Sequence, residues 1–495
     1  MKLERLLTSI EYTTDASYDR DFDIEELCHD SRRTREATLF ICIQGATSDG
    51  HNYAYSAYSR GCRHFVAERE LDLPDDAAVF TVADTRKALA SLSAEFFGHP
   101  SDELFIIGLT GTKGKTTTAL MIYNILNACG LKCGYIGSNG IDFGDFHYEA
   151  INTTPESHSL QRYMREMRLA GVKYLAMEVS SQSLYMSRVY GIKFDLCVYT
   201  NLSKDHIGGA EHPTFEHYLE CKRSLFSDYG AKAILYNTDD GYAKEMISGA
   251  PVGAKLISYA VHGDADYKAM NLEKFRGPDT LGVSFDMLNE GAVYSSSIAF
   301  PGNFSVYNAL AAIAACRECG LELDKVCETI SDVQIKGRFE NIRALPYATF
   351  IIDYAHNEVS LTSALDTLRS YEPKRLICLF GSVGGRTKGR RAELGRVAAE
   401  LADFSIITSD NPDFENPDDV IRDIETQFAG RDNYIKIADR RKAIEYAVNM
   451  AKDGDVFLFA GKGHETYQLI NGEKIPFSEK EILLEACKRL SGQTI

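Results

Sequence analysis

Short, continuous apolar runs alternate with stretches of helical spacing along most of the chain. Leu104-Phe105-Ile106-Ile107-Gly108-Leu109 is such a run, as expected of a strand buried on both faces of a parallel sheet. Thr116 to Ala128 then places Ala119, Leu120, Ile122, Ile125 and Leu126 at helix-like spacing and stops at Gly130. Further strands are predicted at Tyr174 to Val179 and Phe194 to Thr200, and an amphipathic helix at Tyr218 to Phe226. The first hundred residues mix short β-like runs (Thr38 to Ile43, Phe65 to Ala67, Val79 to Val82) with helical stretches and close on a linker, Gly98-His99-Pro100-Ser101. After Gly337 the rhythm resumes, with strands near Phe350 to Tyr354, Leu376 to Phe380, Phe404 to Thr408 and Val456 to Ala460. The pattern predicts an α/β protein of three domains: an N-terminal domain (1–100), a central, mostly parallel sheet domain (101–337) and a Rossmann-like C-terminal domain (338–495) without a dinucleotide fingerprint.

A length of 495 residues suits roughly three domains. The formal charge of −17 offers no basic stripe for a nucleic-acid backbone. No run of about 18 apolar residues occurs and the start lacks a signal-peptide core, so a soluble cytoplasmic protein without membrane partners is expected. Cysteines such as Cys42, Cys197 and Cys378 lie inside predicted strands, as small reduced core residues do. Cys316 and Cys319 form a lone CxxC with no second pair nearby, which argues against a zinc site there.

The loop between the first central strand and its helix is Gly111-Thr112-Lys113-Gly114-Lys115-Thr116-Thr117. Its glycines let backbone N–H groups face a polyphosphate, Lys115 supplies a point charge, and the Thr116 hydroxyl suits Mg²⁺. The usual early glycine is replaced by Leu109, so the loop is a variant. Glu178 ends an apolar strand, where a carboxylate is costly unless paired or metal-bound, and His206 follows the next strand within Asn201-Leu202-Ser203-Lys204-Asp205-His206. The two are positioned to share a cation beside the phosphates. Lys222, on its amphipathic helix, reads by physics alone as a surface lysine with its stem on apolar neighbours. Arg386, Arg390 and Arg391 follow Gly381-Ser-Val-Gly384-Gly385, where guanidinium groups suit a two-point grip on a carboxylate. Gly461-Lys462-Gly463-His464-Glu465 and Asp410-Asn411-Pro412 close two further strands, and these three polar strand ends predict one shared cleft.

Together these residues resemble the Mur ligase family, specifically its tripeptide-forming MurE type, over nearly the whole chain. The motifs run in order: Asp30-Ser31-Arg32, Leu39-Phe40 and Asp49-Gly50-His51; Thr110 to Thr117; Asn152-Thr153-Thr154-Pro155; Glu178-Val179-Ser180-Ser181; Asn201-Leu202 with Asp205-His206. Then follow Gly302-Asn303-Phe304 with Asn308, Gly337-Arg338 with Glu340, Asp353-Tyr354-Ala355-His356, and Asp410-Asn411-Pro412. The resemblance implies an ATP-dependent, ADP-forming ligase of peptidoglycan synthesis, cell-wall biogenesis and hence cell shape and division. It would add an amino acid to UDP-N-acetylmuramoyl-L-alanyl-D-glutamate through an acyl phosphate, and a monomer with small-molecule substrates is expected. It further implies that Lys115, Glu178, His206 and Lys222 are catalytic, and that Thr116, Glu178, His206 and a carbamylated Lys222 hold Mg²⁺. ATP would be bound by Gly111 through Thr117 with Arg338, Asp353, His356 and Asn357. Ser31, Asn152, Thr153, Thr154, Ser180 and Arg188 would hold the UDP-linked peptide, and Arg386, Asp410, Asn411, Asp413 and Glu465 the incoming amino acid.

This chain departs from the family pattern at Lys113, Gln182 and Met186, and through Ile207 to Pro213. The departure at Asp413 bears most on the product, because ligases that add meso-diaminopimelate carry Asp-Asn-Pro-Arg, whose arginine binds the far carboxylate. A carboxylate there repels a second carboxylate and attracts an ammonium, so L-lysine or another amino acid with a cationic side chain is expected. The alternatives are a diaminopimelate-adding ligase, a folylpolyglutamate synthase-like ligase, which the Gly-Thr-Lys-Gly-Lys run also suits, and a non-catalytic nucleotide-binding relative.

Overall fold

A computed structural model describes residues 1–45, 48–204, 207–208, 212–277, 279–385 and 388–491. It divides into two compact units, Met1–Asp266 with Ala314–Gly320, and Tyr267–Ile313 with Leu321–Ile495.

The first unit holds two sheets. A parallel four-stranded sheet runs β1 (Glu26–Cys28), β2 (Thr38–Ile41), β3 (His64–Ala67), β4 (Ala78–Thr81). Leu39, Ile41, Val66 and Phe80 bury one of its faces with Leu89 and Leu92 of helix Thr85–Phe97. That helix starts on Asp84, whose side chain accepts from two backbone N–H groups, and stops at left-handed Gly98, the predicted linker.

The larger sheet contains β5 (Phe105–Thr110), β6 (Cys133–Gly137), β7 (Gly140–Phe143), β8 (Phe146–Tyr148), β9 (Tyr174–Glu178), β10 (Leu196–Tyr199), β11 (Ala233–Asn237) and β12 (Lys255–Ala260). In the order β12-β11-β10-β5-β9-β6 the strands are parallel, and β7 and β8 extend the edge antiparallel. Central β5 is flanked by β9 and β10, so their carboxyl ends open onto one edge, where ligands of such sheets bind.

The second unit begins with β13 (Tyr267–Arg276), β14 (Leu281–Asn289) and β15 (Ala292–Ile298), paired antiparallel. The sequence reading places this stretch in a mostly parallel α/β pattern, and these three strands are an antiparallel part of it. In β14, Val283, Phe285 and Met287 are buried and Ser284, Asp286 and Leu288 less so, the period of an antiparallel strand. Then come β16 (Glu340–Leu345), β17 (Ala348–Asp353), β18 (Arg375–Phe380), β19 (Phe404–Ile407), β20 (Tyr434–Lys436) and β21 (Asp455–Ala460). Their order is β16-β17-β21-β18-β19-β20, parallel except at β16, which is the predicted Rossmann-like sheet. A hairpin, β22 (Tyr467–Ile470) and β23 (Glu473–Pro476), follows it.

Candidate functional site

The phosphate loop leaves β5 at Thr110 and enters helix Lys115–Ala128 through Gly114, which has φ 86°. Gly111 has φ 150°, and a Cβ there would lie 2.0 Å from Thr200 Oγ1, so the turn accepts only glycine. Asn201, just past β10, clamps the loop: its Oδ1 accepts from Lys113 N (3.0 Å), its Nδ2 donates to Lys113 O (3.0 Å), and its carbonyl accepts from Thr112 N (2.8 Å). Lys115 Nζ donates to Gly111 O (2.7 Å) and Thr112 O (3.2 Å). The same Gly111 carbonyl accepts from Lys222 Nζ at 2.9 Å. Lys222 is therefore not a surface lysine. Helix Phe215–Ser227 turns it inward, 2% exposed, with the ammonium 4.6 Å from the Tyr218 ring centroid.

Glu178, 1% exposed, ends β9 beside this loop. Its Oε1 accepts from the Tyr135 hydroxyl and from Ser138 N, both at 2.8 Å, and its Oε2 accepts from Thr116 Oγ1 at 2.9 Å. Gly137 makes room for it, since a Cβ there would come within 2.2 Å of Glu178 Oε1. Thr116 Oγ1 and Glu178 Oε2 are adjacent oxygen donors of the kind a hard divalent cation takes. Sequence reasoning names Glu178 and Thr116 but not Tyr135 or Ser138. A tyrosine and a serine near a strand end carry no signal of their own.

The motif around Thr153 joins the same network. Thr153 Oγ1 and Ser138 Oγ are 2.9 Å apart, and Thr154 Oγ1 donates to the Glu178 carbonyl (2.9 Å) and accepts from Ser180 N (3.1 Å). Arg188 Nη1 donates to Thr154 O (3.1 Å), and its guanidinium pairs with Glu156 at 2.7 Å. Ser180 caps helix Ser181–Tyr185 by accepting from Ser183 N, and Asn152 is half-buried one residue before Thr153. Buried Ser31 begins a short helical turn between β1 and β2, Ser31–Arg33, capped by the Asp30 carboxylate; Arg32 and Arg33 of that turn are exposed. His206 and Arg386 lie outside the described residues.

In the second unit three loops meet at the carboxyl edge, as the sequence predicts. Asn411 Oδ1 accepts from Lys462 Nζ (2.7 Å) and Leu469 N (3.0 Å), and Asn411 Nδ2 donates to Glu465 Oε2 (2.9 Å). Lys462 is fully buried and also donates to Glu465 Oε2 (2.7 Å), while Gly384 N donates to Asn411 O (2.8 Å). Lys462, a partner sequence reasoning left unassigned, is thus the hub of this cluster; its place between two glycines at a strand end was the available signal. Among the described residues Asp410 Oδ1 accepts no hydrogen bond, and it lies 3.8 Å from Lys462 Nζ. Burial raises the Asp410 carboxyl above the ordinary range, against the pull of Arg440 and Lys462. Asp413 adopts φ 52°, and its Oδ1 accepts from Gly472 N (2.8 Å) in the turn of the β22–β23 hairpin.

Arg391 does not join the grip suggested for it. It is 2% exposed and already paired with Glu415 (2.7 Å) and Asp423 (2.8 Å). Closer to β17, Asp353 Oδ2 accepts from Phe339 N (2.8 Å), and burial raises its carboxyl despite the nearby Arg338. Arg338 stacks 5.2 Å from the Tyr354 ring centroid. His356 Nδ1 is 2.8 Å from Tyr354 O, and burial lowers its pKa. Asn357 caps helix Glu358–Arg369 in a capping box with Ser360.

The Mur ligase middle domain matches residues 109–316, and the Mur ligase glutamate ligase domain matches residues 337–463. The chain is 39% identical over 497 residues to the UDP-N-acetylmuramoyl-L-alanyl-D-glutamate–2,6-diaminopimelate ligase of Clostridium botulinum, covering 99% of this chain and 100% of that protein. It is 37% identical over 491 residues to the protein of the same name from Clostridium perfringens, covering 98% and 99%. A solved structure of a UDP-N-acetylmuramoyl-L-alanyl-D-glutamate–2,6-diaminopimelate ligase superposes with TM-score 0.72 at 27% identity, covering 99% of both chains.

Proposed function

Since the chain belongs to the Mur ligase family of ATP-dependent, ADP-forming amide ligases, we propose that it extends UDP-N-acetylmuramoyl-L-alanyl-D-glutamate by one amino acid, in the cytoplasm, during peptidoglycan synthesis. The observation that carries this reading is the continuous polar chain Thr116–Glu178–Ser138–Thr153. It joins the phosphate loop to the loop that family likeness assigns to the muramoyl peptide.

A carboxylate of the dipeptide attacks the γ-phosphorus of ATP, giving an acyl phosphate and ADP. The amine of the incoming amino acid then attacks the acyl carbon, expelling inorganic phosphate and losing a proton as the amide forms. Lys115 steadies the transferring phosphoryl group, and the helix N-terminus at Gly114 faces the same charge. Thr116 and Glu178 would hold one Mg²⁺, and Glu178, His206 and a carbamylated Lys222 a second, supplying positive charge to the phosphates. Thr153, Thr154, Ser180 and Arg188 orient the peptide, with Asn152 beside them and Ser31 near the uridine. Residues 1–100 thus serve the UDP end, 101–337 the ATP phosphates and 338–495 the amino acid. By family likeness Arg338, Asp353, His356 and Asn357 bind nucleotide, and Arg386 grips the α-carboxylate.

For the amino acid we propose L-lysine or a similar residue with a terminal ammonium, because Asp413 offers a carboxylate on the hairpin turn. Asp410, Asn411 and Glu465 set the frame behind it. The names of the relatives favour a second reading, meso-diaminopimelate. Incubation with ATP, Mg²⁺, the UDP-linked dipeptide and single amino acids, followed by mass spectrometry, tests both. A product heavier by one lysine supports the first reading, and one heavier by diaminopimelate alone replaces it. Absence of any amide product overturns the ligase assignment itself.

A further inference from the structure

Beside the described site lies a cluster that neither the phosphate loop nor the amino-acid cleft uses. His217 and Cys221 stand four residues apart on helix Phe215–Ser227, so they share one face. Buried His212, in the stretch that departs from the family pattern, meets them. Its Nδ1 is 3.0 Å from His217 Nδ1, Cys221 Sγ is 3.9 Å from His217 Nδ1 and 3.8 Å from its Nε2, and the three donor atoms lie within 4.8 Å of one another.

We propose that His212, His217 and Cys221 form a binding site for a soft divalent cation of the zinc class. A tetrahedral ion with metal–nitrogen bonds of about 2.0–2.1 Å and a metal–sulfur bond of about 2.3 Å spans edges of about 3.3 Å between nitrogens and about 3.6 Å from nitrogen to sulfur. The His212–His217 and His217–Cys221 separations are within a few tenths of an ångström of those edges, and His212 and Cys221 lie within 4.8 Å of each other. Two imidazoles and a thiolate are ligands that zinc favours over the all-oxygen set suited to Mg²⁺. The outer shell fits as well. His212 Nε2 is 2.9 Å from Ser181 Oγ, and an Nε2–H donated to that hydroxyl leaves the Nδ1 lone pair for the ion. In the metal-free protein one of the two facing Nδ1 atoms carries the proton between them; as the ion binds, that ring takes its other neutral tautomer, with the proton on Nε2, and no proton leaves either imidazole. Cys221 alone gives a proton to solvent as its metal–sulfur bond forms.

Such an ion ties helix Phe215–Ser227, which carries Lys222 next to Cys221, to helix Ser181–Tyr185 through Ser181. Its role is that of a staple outside the phosphoryl-transfer chemistry.

The test uses the full chain with Co²⁺ as a spectroscopic stand-in, Zn²⁺ as competitor and Mg²⁺ as control. One equivalent of Co²⁺ should give a thiolate-to-metal charge-transfer absorption that Zn²⁺ abolishes and Mg²⁺ does not. Cys221→Ser should remove the absorption, His217→Ala should weaken binding by about 100-fold or more, and Cys316→Ser should leave it unchanged. Absence of the absorption, its survival in Cys221→Ser, or its loss in Cys316→Ser overturns the site. Should a variant misfold, mapped alkylation of wild-type Cys221 decides: protection by Zn²⁺ but not Mg²⁺ supports the proposal, and equal reactivity overturns it.

Discussion

Thr116 Oγ1 donates to Glu178 Oε2 across 2.9 Å, so the first turn of the phosphate-loop helix and the end of β9 form one cluster of oxygen donors. Glu178→Gln keeps the shape but removes the charge that would face the cation. We expect ligation to fall by roughly 10²–10³-fold and the Mg²⁺ concentration for half-activity to rise. The thermal midpoint should move little, because an amide oxygen still accepts from Tyr135 and Ser138. ADP release measured over a Mg²⁺ series checks this, and near-normal turnover at low Mg²⁺ rules out the metal role.

Gly111→Ala should damage folding and activity together. The added methyl would meet Thr200 Oγ1 at 2.0 Å, at a backbone angle that L side chains rarely adopt. Thr200 cannot simply turn away, since its hydroxyl donates to Lys113 O at 2.7 Å and holds the loop. A loss of about 1–3 kcal/mol in urea unfolding, with ATP turnover near background, is expected.

Asp413→Asn isolates charge from shape, because asparagine tolerates the left-handed backbone at φ 52° and still accepts from Gly472 N. The ratio of kcat/KM for lysine over diaminopimelate should fall by about tenfold or more, equivalent to about 1.4 kcal/mol. An unchanged ratio removes Asp413 from the specificity argument.

Asp49 gives a pH signature in the smaller sheet. Burial alone would raise its carboxyl, but hydrogen bonds from His51 and Arg69 outweigh it and bring the pKa down to about 2. A carboxyl lowered by folding adds stability above the unfolded pKa of about 3.9 and loses it as pH falls toward 2. The contribution at neutral pH should be below about 2 kcal/mol, since the side chain keeps 21% of its exposure. Urea midpoints of wild type and Asp49→Asn should therefore differ at pH 7 and converge between pH 4 and 2.

The buried parallel strands were the most legible part of the chain. Phe105–Thr110, Tyr174–Glu178 and Arg375–Phe380 fall within a residue or two of their apolar runs, because a strand covered on both faces has no polar side to interrupt it. Tyr267 to Ile298 reads poorly for the converse reason: serines and charged residues break its runs, and in β15 Ile298 alone is buried. Site residues at strand ends were legible because a buried carboxylate or glycine there needs a reason. Tyr135, Ser138 and Lys462 matter through partners 40 to 51 residues away, a relation no local pattern contains. Lys222 shows the limit of helical periodicity, which places a lysine at the margin of an apolar face without saying which way it points.

Gly111 O accepts from two ammonium groups, Lys115 at 2.7 Å and Lys222 at 2.9 Å. One carbonyl dipole is thus shared by the lysine proposed for the phosphates and the lysine proposed, as its carbamate, for the second metal. A phosphate that draws Lys115 toward itself strengthens that oxygen's hold on Lys222, and any change of charge at Lys222 alters how readily Lys115 can leave. The two positions are linked through a single backbone atom, so by reciprocity the state of Lys222 must appear in the affinity for nucleotide.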